Sequence, residues 1–150
     1  MSITSVQLCT PTSRNDFARY YQLRWELLRA PWQQPKGSEQ DEFESSAFHI
    51  MAINENDHVI GVGRLHSPGH RLGQIRYMAV CPEEQSQGIG SRLLRALEEA
   101  ALQKQYRRLI LNARDSAVAF YLQHGYRQRG KGPTLYGQIT HTELYKELLT

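Results

Sequence analysis

Ile75-Arg76-Tyr77-Met78-Ala79-Val80, followed by Cys81-Pro82-Glu83-Glu84 and Gln85-Ser86-Gln87-Gly88-Ile89-Gly90, is the stretch on which the fold turns. The first six residues form an apolar strand candidate. Beyond the glycines, Ile89, Leu93, Leu97 and Ala101 recur at every fourth position and Leu94 widens the stripe, which predicts a long amphipathic helix. A strand, a glycine turn and a helix start together make a cradle for phosphate. The first-turn N–H groups have no intrahelical acceptor, and the helix dipole adds positive potential at the same place. Glycine at 88 and 90 lets the backbone approach a ligand and tolerates positive φ. The spacing predicts a phosphate-bearing ligand held by the backbone of 85–91. A helix that merely starts after a glycine turn is the competing reading.

Other phosphate motifs fit worse. No Gly-Lys-Ser or Gly-Lys-Thr occurs, so a P-loop is missing, and a dinucleotide fingerprint would need glycine where Leu93 stands. The acidic residue expected some 20 positions on is also absent, since Arg107, Arg108 and Leu109 lie there. Nucleotide hydrolysis and NAD chemistry are therefore disfavoured.

The 150 residues suit one domain, 1–150, with a core that needs no staples. Two cysteines, Cys9 and Cys81, make neither a disulfide framework nor a zinc pattern, and His66 and His70 lack a third ligand. No membrane-length apolar run or leader pattern is visible, so the expectation is a cytoplasmic protein with no membrane or metal requirement. The net charge of +3 is weak support for nucleic-acid binding. Lys104, Arg107 and Arg108 form one basic cluster, and Arg127, Arg129 and Lys131 another. Either could be solvated surface or could touch the outer phosphates of a nucleotide-like cofactor. Glu39, Asp41, Glu42 and Glu44 form either an exposed segment or an attractor for a cationic substrate.

A first strand is expected over 3–8. Ser13 and Asp16 suggest a helix cap, after which Phe17, Tyr21, Trp25 and Leu28 share one face. Pro31 and Pro35 break that helix, and Ser38 is read as the cap of a short second helix through Glu44. Strands follow over 48–53, 59–65 and 75–80, then the long helix, a strand over 108–113 and a helix over 116–124 stopped by Gly125. Two further strands surround 126–129 and 138–145. The resulting fold class is α/β of mixed order, with helices on the faces of a twisted sheet.

Two segments in register carry a resemblance: Met78-Ala79-Val80-Cys81-Pro82 with Gln85-x-x-Gly88-x-Gly90, and Ala117-Val118-Ala119-Phe120-Tyr121-Leu122-Gln123-His124-Gly125-Tyr126. Together they resemble the GNAT superfamily of acyl-CoA-dependent N-acetyltransferases. The segment containing Arg24-Trp25-Glu26 and Pro35-Lys36-Gly37-Ser38-Glu39 is similar to a subgroup sometimes joined to a thioesterase-like domain, for which this chain has no room. The resemblance implies a mostly antiparallel sheet of about six or seven strands flanked by about four helices. It implies acetyl-CoA as co-substrate, its pyrophosphate held by Gln85, Ser86, Gln87, Gly88, Ile89, Gly90 and Ser91. The pantetheine arm would lie along Met78, Ala79 and Val80 as an added strand. The strand over 109–113 would splay away and could offer an N–H to the thioester carbonyl.

By the same resemblance Tyr121 would assist thiolate departure, and Arg114, standing where asparagine is frequent, would contact cofactor or substrate. The acceptor would be a small-molecule or peptide amine, its base open among water, His66, His49 and the acidic segment. Gln74 stands where some relatives carry a glutamate, and Cys81 reads as a bystander. The oligomeric state stays open, a homodimer included. A non-catalytic acyl-CoA sensor or regulatory partner is the alternative to an enzyme.

Overall fold

In the computed structural model, residues 5–85 and 87–148 are described. The expected first strand therefore falls partly outside them, and β1 is Gln7–Cys9. Ser13 caps α1 (Arg14–Leu28) reciprocally: its hydroxyl accepts from the Asp16 amide while Asp16 accepts from the Ser13 amide. The strands β2 (Phe48–Ile53), β3 (Val59–Gly69) and β4 (Leu72–Val80) form an antiparallel meander. Helix α2 (Ile89–Gln103) then crosses to β5 (Arg108–Arg114). A short 3₁₀ turn leads to α3 (Val118–Gln123), followed by β6 (Arg127–Lys131) and β7 (His141–Glu147).

The seven strands make one sheet in the order β1-β2-β3-β4-β5-β7-β6, antiparallel except for β4 beside β5. Ile89, Leu93, Leu94, Leu97 and Ala101 are all essentially inaccessible, which confirms the apolar stripe of α2. They pack on Ile50, Leu65, Ile75, Leu109 and Leu111. Burial of each large side chain contributes about 1.5–3 kcal/mol.

Two expectations fail on the other face of the sheet. The buried face of α1 is Tyr20, Leu23 and Arg24, while Phe17 and Tyr21 are only partly covered. The fourth helix does not form among the described residues: 36–46 is a series of turns. Its backbone is committed elsewhere, because the Ser38 carbonyl accepts from Arg29 and the Glu39 carbonyl from Arg24. The segment wraps two buried arginines, and its remaining backbone bonds are isolated three-residue turns such as Gln40 N–H to the Gly37 carbonyl and Glu44 N–H to the Asp41 carbonyl.

Candidate functional site

Strands β4 and β5 pair at three positions, Leu72 with Arg108, Gly73 with Leu109 and Gln74 with Ile110, and then part. β5 keeps its partner β7 along its whole length, and β4 keeps β3. The parting therefore leaves the facing edges of 75–80 and 111–114 without a sheet neighbour. A cleft of about 500 Å³ opens there, with Met78, Val80, Leu111, Ala113 and Tyr121 among its walls. Exposed strand edges in a cleft suit an extended ligand that adds as a strand.

The bend of β4 has a local cause. Gly63 faces both Tyr77 and Met78, since Arg64 pairs with Arg76 while Val62 pairs with Ala79. This is a bulge, and Tyr77 takes φ 59°, a costly conformation for an aromatic residue. Four guanidiniums hold it there: Arg24, Arg64, Arg76 and Arg29 lie 4.3, 4.9, 4.6 and 5.6 Å from its ring centre. Arg64 pairs with Asp41 at 2.6 Å and Glu44 at 2.7 Å, Arg24 with Glu44 at 2.9 Å, and Arg76 with Asp41 at 3.0 Å. The acidic segment is thus turned inward. Asp41 and Glu44 neutralise arginines instead of facing a cationic substrate, while Glu42 stays exposed.

At the head of the cleft, Gly88 caps α2 with φ 80°. The first bond into the helix runs from the Arg92 N–H to the Gly88 carbonyl, 3.1 Å. The N–H groups of Gly88, Ile89 and Ser91 have no acceptor among the described residues. Gln85 differs from expectation: its amide donates to the Pro82 carbonyl at 3.3 Å, and its side chain donates to the Val80 carbonyl at 3.1 Å. It straps the turn to β4. Ser86 lies outside the described residues. A Cβ at Gly90 would stand 3.4 Å from Phe120 and 4.0 Å from Val80, between two residues at the cleft head. The serine hydroxyl of Ser91 is engaged by His124 Nε2 at 3.0 Å.

Tyr121 is 7% exposed, and its hydroxyl reaches Met78 Sδ at 3.8 Å, which joins α3 to the lip of β4. Burial pushes its pKa well above the ordinary tyrosine value. Arg114 lines the same cleft. The base candidates do not. Both ring nitrogens of His49 are engaged, by the Tyr20 hydroxyl at 2.9 Å and the Glu44 carbonyl at 2.8 Å. His66 is buried, accepts from Arg64 at Nδ1 and stacks on Phe43, 4.3 Å between ring centres. Burial, then the Arg64 charge, lowers its pKa.

Sequence reasoning missed His141. It stands opposite Arg114 in the β5–β7 register, lines the cleft, and places Nδ1 2.9 Å from the Pro133 carbonyl. No local pattern marks it, because its place depends on pairing across 27 residues of chain. The basic cluster expectation also changes. Arg107 and Arg108 sit at the start of β5 with His70, Arg71 and Arg129 around an open depression, a helix length away from the head of α2. Fifteen residues of helix span about 22 Å, too far for contact with an anion at Gly88. Among the described residues no cluster of metal-binding side chains is found, and no helix is long and apolar enough to cross a membrane.

Comparison with known proteins agrees with this geometry. A family model described as Acetyltransferase (GNAT) family matches residues 17–126. The uncharacterized N-acetyltransferase YjcF of Bacillus subtilis (strain 168) is 32% identical over 113 residues, 75% of this chain and 79% of YjcF. The crystal structure of a candidate N-acetyltransferase from Lactobacillus plantarum has a TM-score of 0.82 at 21% identity, covering 97% of this chain and 99% of that one. An aminoglycoside 6'-N-acetyltransferase complexed with coenzyme A gives a TM-score of 0.76 at 17% identity, covering 96% and 98%. At such identities the structural likenesses speak for the fold.

Proposed function

Because this chain belongs to the GNAT acetyltransferase family, we propose that it moves an acetyl group directly from acetyl-CoA to a primary amine within a ternary complex. The observation that carries the reading is the parting of β4 from β5 beneath N–H groups at the start of α2 that have no acceptor among the described residues. The pyrophosphate fits the Gly88, Ile89 and Ser91 amides, supported by the helix dipole. The pantetheine arm fits the open edge of Met78 and Ala79. The Val80 carbonyl is already taken by Gln85. The bulge at Tyr77 and Met78 turns backbone groups out of the ladder, where one can serve the thioester oxygen.

Acetyl-CoA supplies the activated acyl group, and the chain supplies proton handling. An ordinary tyrosine near pKa 10 against a thiol near 8.5 makes full proton transfer uphill by about 2 kcal/mol. Burial of Tyr121 raises that cost, and Arg114 does nothing to lower it. Tyr121 therefore acts by donating a hydrogen bond that strengthens as sulfur departs. At the acceptor end, His141 donates Nδ1–H to the Pro133 carbonyl, which leaves Nε2 with its lone pair. That nitrogen is our candidate for taking the ammonium proton.

The test is thiol release from acetyl-CoA across a panel of primary amines, with acetyl-CoA affinity measured by calorimetry. Binding and amine-dependent release are expected. Acetyl-CoA that neither binds nor turns over would remove the reading.

A further inference from the structure

Three carboxylates of the acidic segment, Asp41, Glu44 and Glu39, are engaged by the protein. Asp41 takes Arg64 and Arg76, and Glu44 takes Arg24 and Arg64. Glu39 is 4% exposed and accepts from the Gly37 amide at 2.8 Å and from Gln40 Nε2 at 2.9 Å. Among the described residues, two guanidiniums that line the cleft have no carboxylate partner. Arg29, at the end of α1, donates Nε to the Ser38 carbonyl and Nη1 to the Leu28 carbonyl, 3.0 Å each. Those contacts fix its position without cancelling its charge. Arg114 makes neither an ion pair nor a side-chain hydrogen bond among the described residues.

The two arginines occupy one face. Leu109, Leu111 and Ala113 of β5 pack into the core with α2, so strand alternation turns Arg114 to the opposite side, toward the end of α1. The cradle at Gly88 opens from the α2 side. Burial, then the neighbouring charge of Arg29, lowers the pKa of Arg114. Like charges held together in a partly desolvated cleft are unfavourable until an anion joins them. Among the described residues no Asp or Glu lines the cleft, while Arg29, Arg76 and Arg114 all do. A polycationic acceptor would meet Arg29 and Arg114 with no carboxylate beside them, since Asp41 is already taken up by Arg64 and Arg76.

Resting on the transferase reading above, we infer that the acceptor is an amine that carries its own anionic group, a carboxylate or a phosphate monoester. Arg29 and Arg114 clamp that group by charge-assisted hydrogen bonds. The clamp leaves the acceptor's amine to reach the thioester between Met78 and Tyr121. Tyr136, near enough to Arg114 to act on its charge, stacks on Trp32 with ring centres 6.5 Å apart.

The test compares matched amines at saturating acetyl-CoA: 2-aminoethyl phosphate against 2-aminoethanol, and β-alanine against its carboxamide, with putrescine as the cationic member. In at least one pair the anionic amine should lead by about 10- to 100-fold in kcat/KM, carried by KM, as charge-assisted hydrogen bonds allow. The winning pair distinguishes carboxylate from phosphate. Arg114→Gln should erase the preference, Arg114→Lys should keep part of it, and acetyl-CoA affinity should hold in both. Inorganic phosphate should compete with the amine in the unaltered protein, which needs no variant to fold. Equal use of neutral partners, preference for putrescine, or acetyl-CoA bound with no member acetylated would each overturn the inference. A parallel loss of acetyl-CoA affinity in Arg114→Gln would overturn it too, by assigning Arg114 to the donor. Failure of the unaltered protein to bind acetyl-CoA would instead remove the transferase reading itself.

Discussion

The hydroxyl of Tyr121 stands 3.8 Å from the sulfur of Met78, across the mouth formed where β4 leaves β5. It is a weak contact for a buried hydroxyl, and it aims the O–H at the strand along which the thioester is proposed to lie. Tyr121→Phe removes the donor and keeps the ring packing against Phe120 and Tyr126. The expected loss in kcat is about 10²–10⁴-fold, with the melting temperature nearly unchanged. Because burial keeps this tyrosine protonated at every working pH, the shape of the pH profile should survive the substitution. Unaltered turnover would favour a sensor over an enzyme.

Gly90 separates coenzyme binding from folding. Alanine there meets Phe120 at an ordinary 3.4 Å, and inside a helix alanine is favoured over glycine by roughly 0.5–1 kcal/mol. Gly90→Ala should therefore fold at least as well yet bind acetyl-CoA several-fold more weakly. Gly88→Ala, forced to φ 80°, should lose about 1–2 kcal/mol of stability as well. Urea midpoints beside calorimetric affinities would read both, and equal behaviour of the two variants would contradict the assignment.

Asp41 should make stability acid-sensitive. Burial raises its pKa, but Arg64, the Phe43 amide and Arg76 outweigh it and bring the value to about 2. Against an unfolded value near 4, the stabilisation is complete above about pH 4 and disappears as pH falls toward 2. Asp41→Asn should be less stable at pH 6, and its deficit should shrink as the two proteins are titrated to acid. A constant gap would show that the charge is not what matters.

Cys81 should be inert at neutral pH. Burial, then Glu83 and Glu84, push its thiol up to about 11. Alkylation by iodoacetamide should be slow at pH 7 and accelerate as the pH approaches that value. Cys81→Ser should retain full thiol-release activity, whereas a large loss would give the sulfur a role.

The helix of 89–103 was legible because its apolar residues repeat with the helix and nothing else competes for its face. The turn before it was legible through Gly88 and Gly90. What surrounds Tyr77 was not. A sequence shows Arg24 and Arg64 as charges and therefore as surface. Their burial depends on Asp41 and Glu44 arriving from 20 to 23 positions away, which only the folded chain reveals. The same blindness produced the helix expected through Glu44, whose first two carbonyls, of Ser38 and Glu39, are claimed by arginine side chains. Arg114 could be singled out by its place before Tyr121, but its opposite number His141 could not, since strand register is a property of two segments at once.

Three paired positions between β4 and β5 are a narrow waist for a seven-stranded sheet. The two halves of the sheet diverge beyond Gln74 and Ile110 and share a core with α2. A molecule lying in the gap acts as a splint, so protection of the edge amides from solvent exchange should rise on both sides of the gap together.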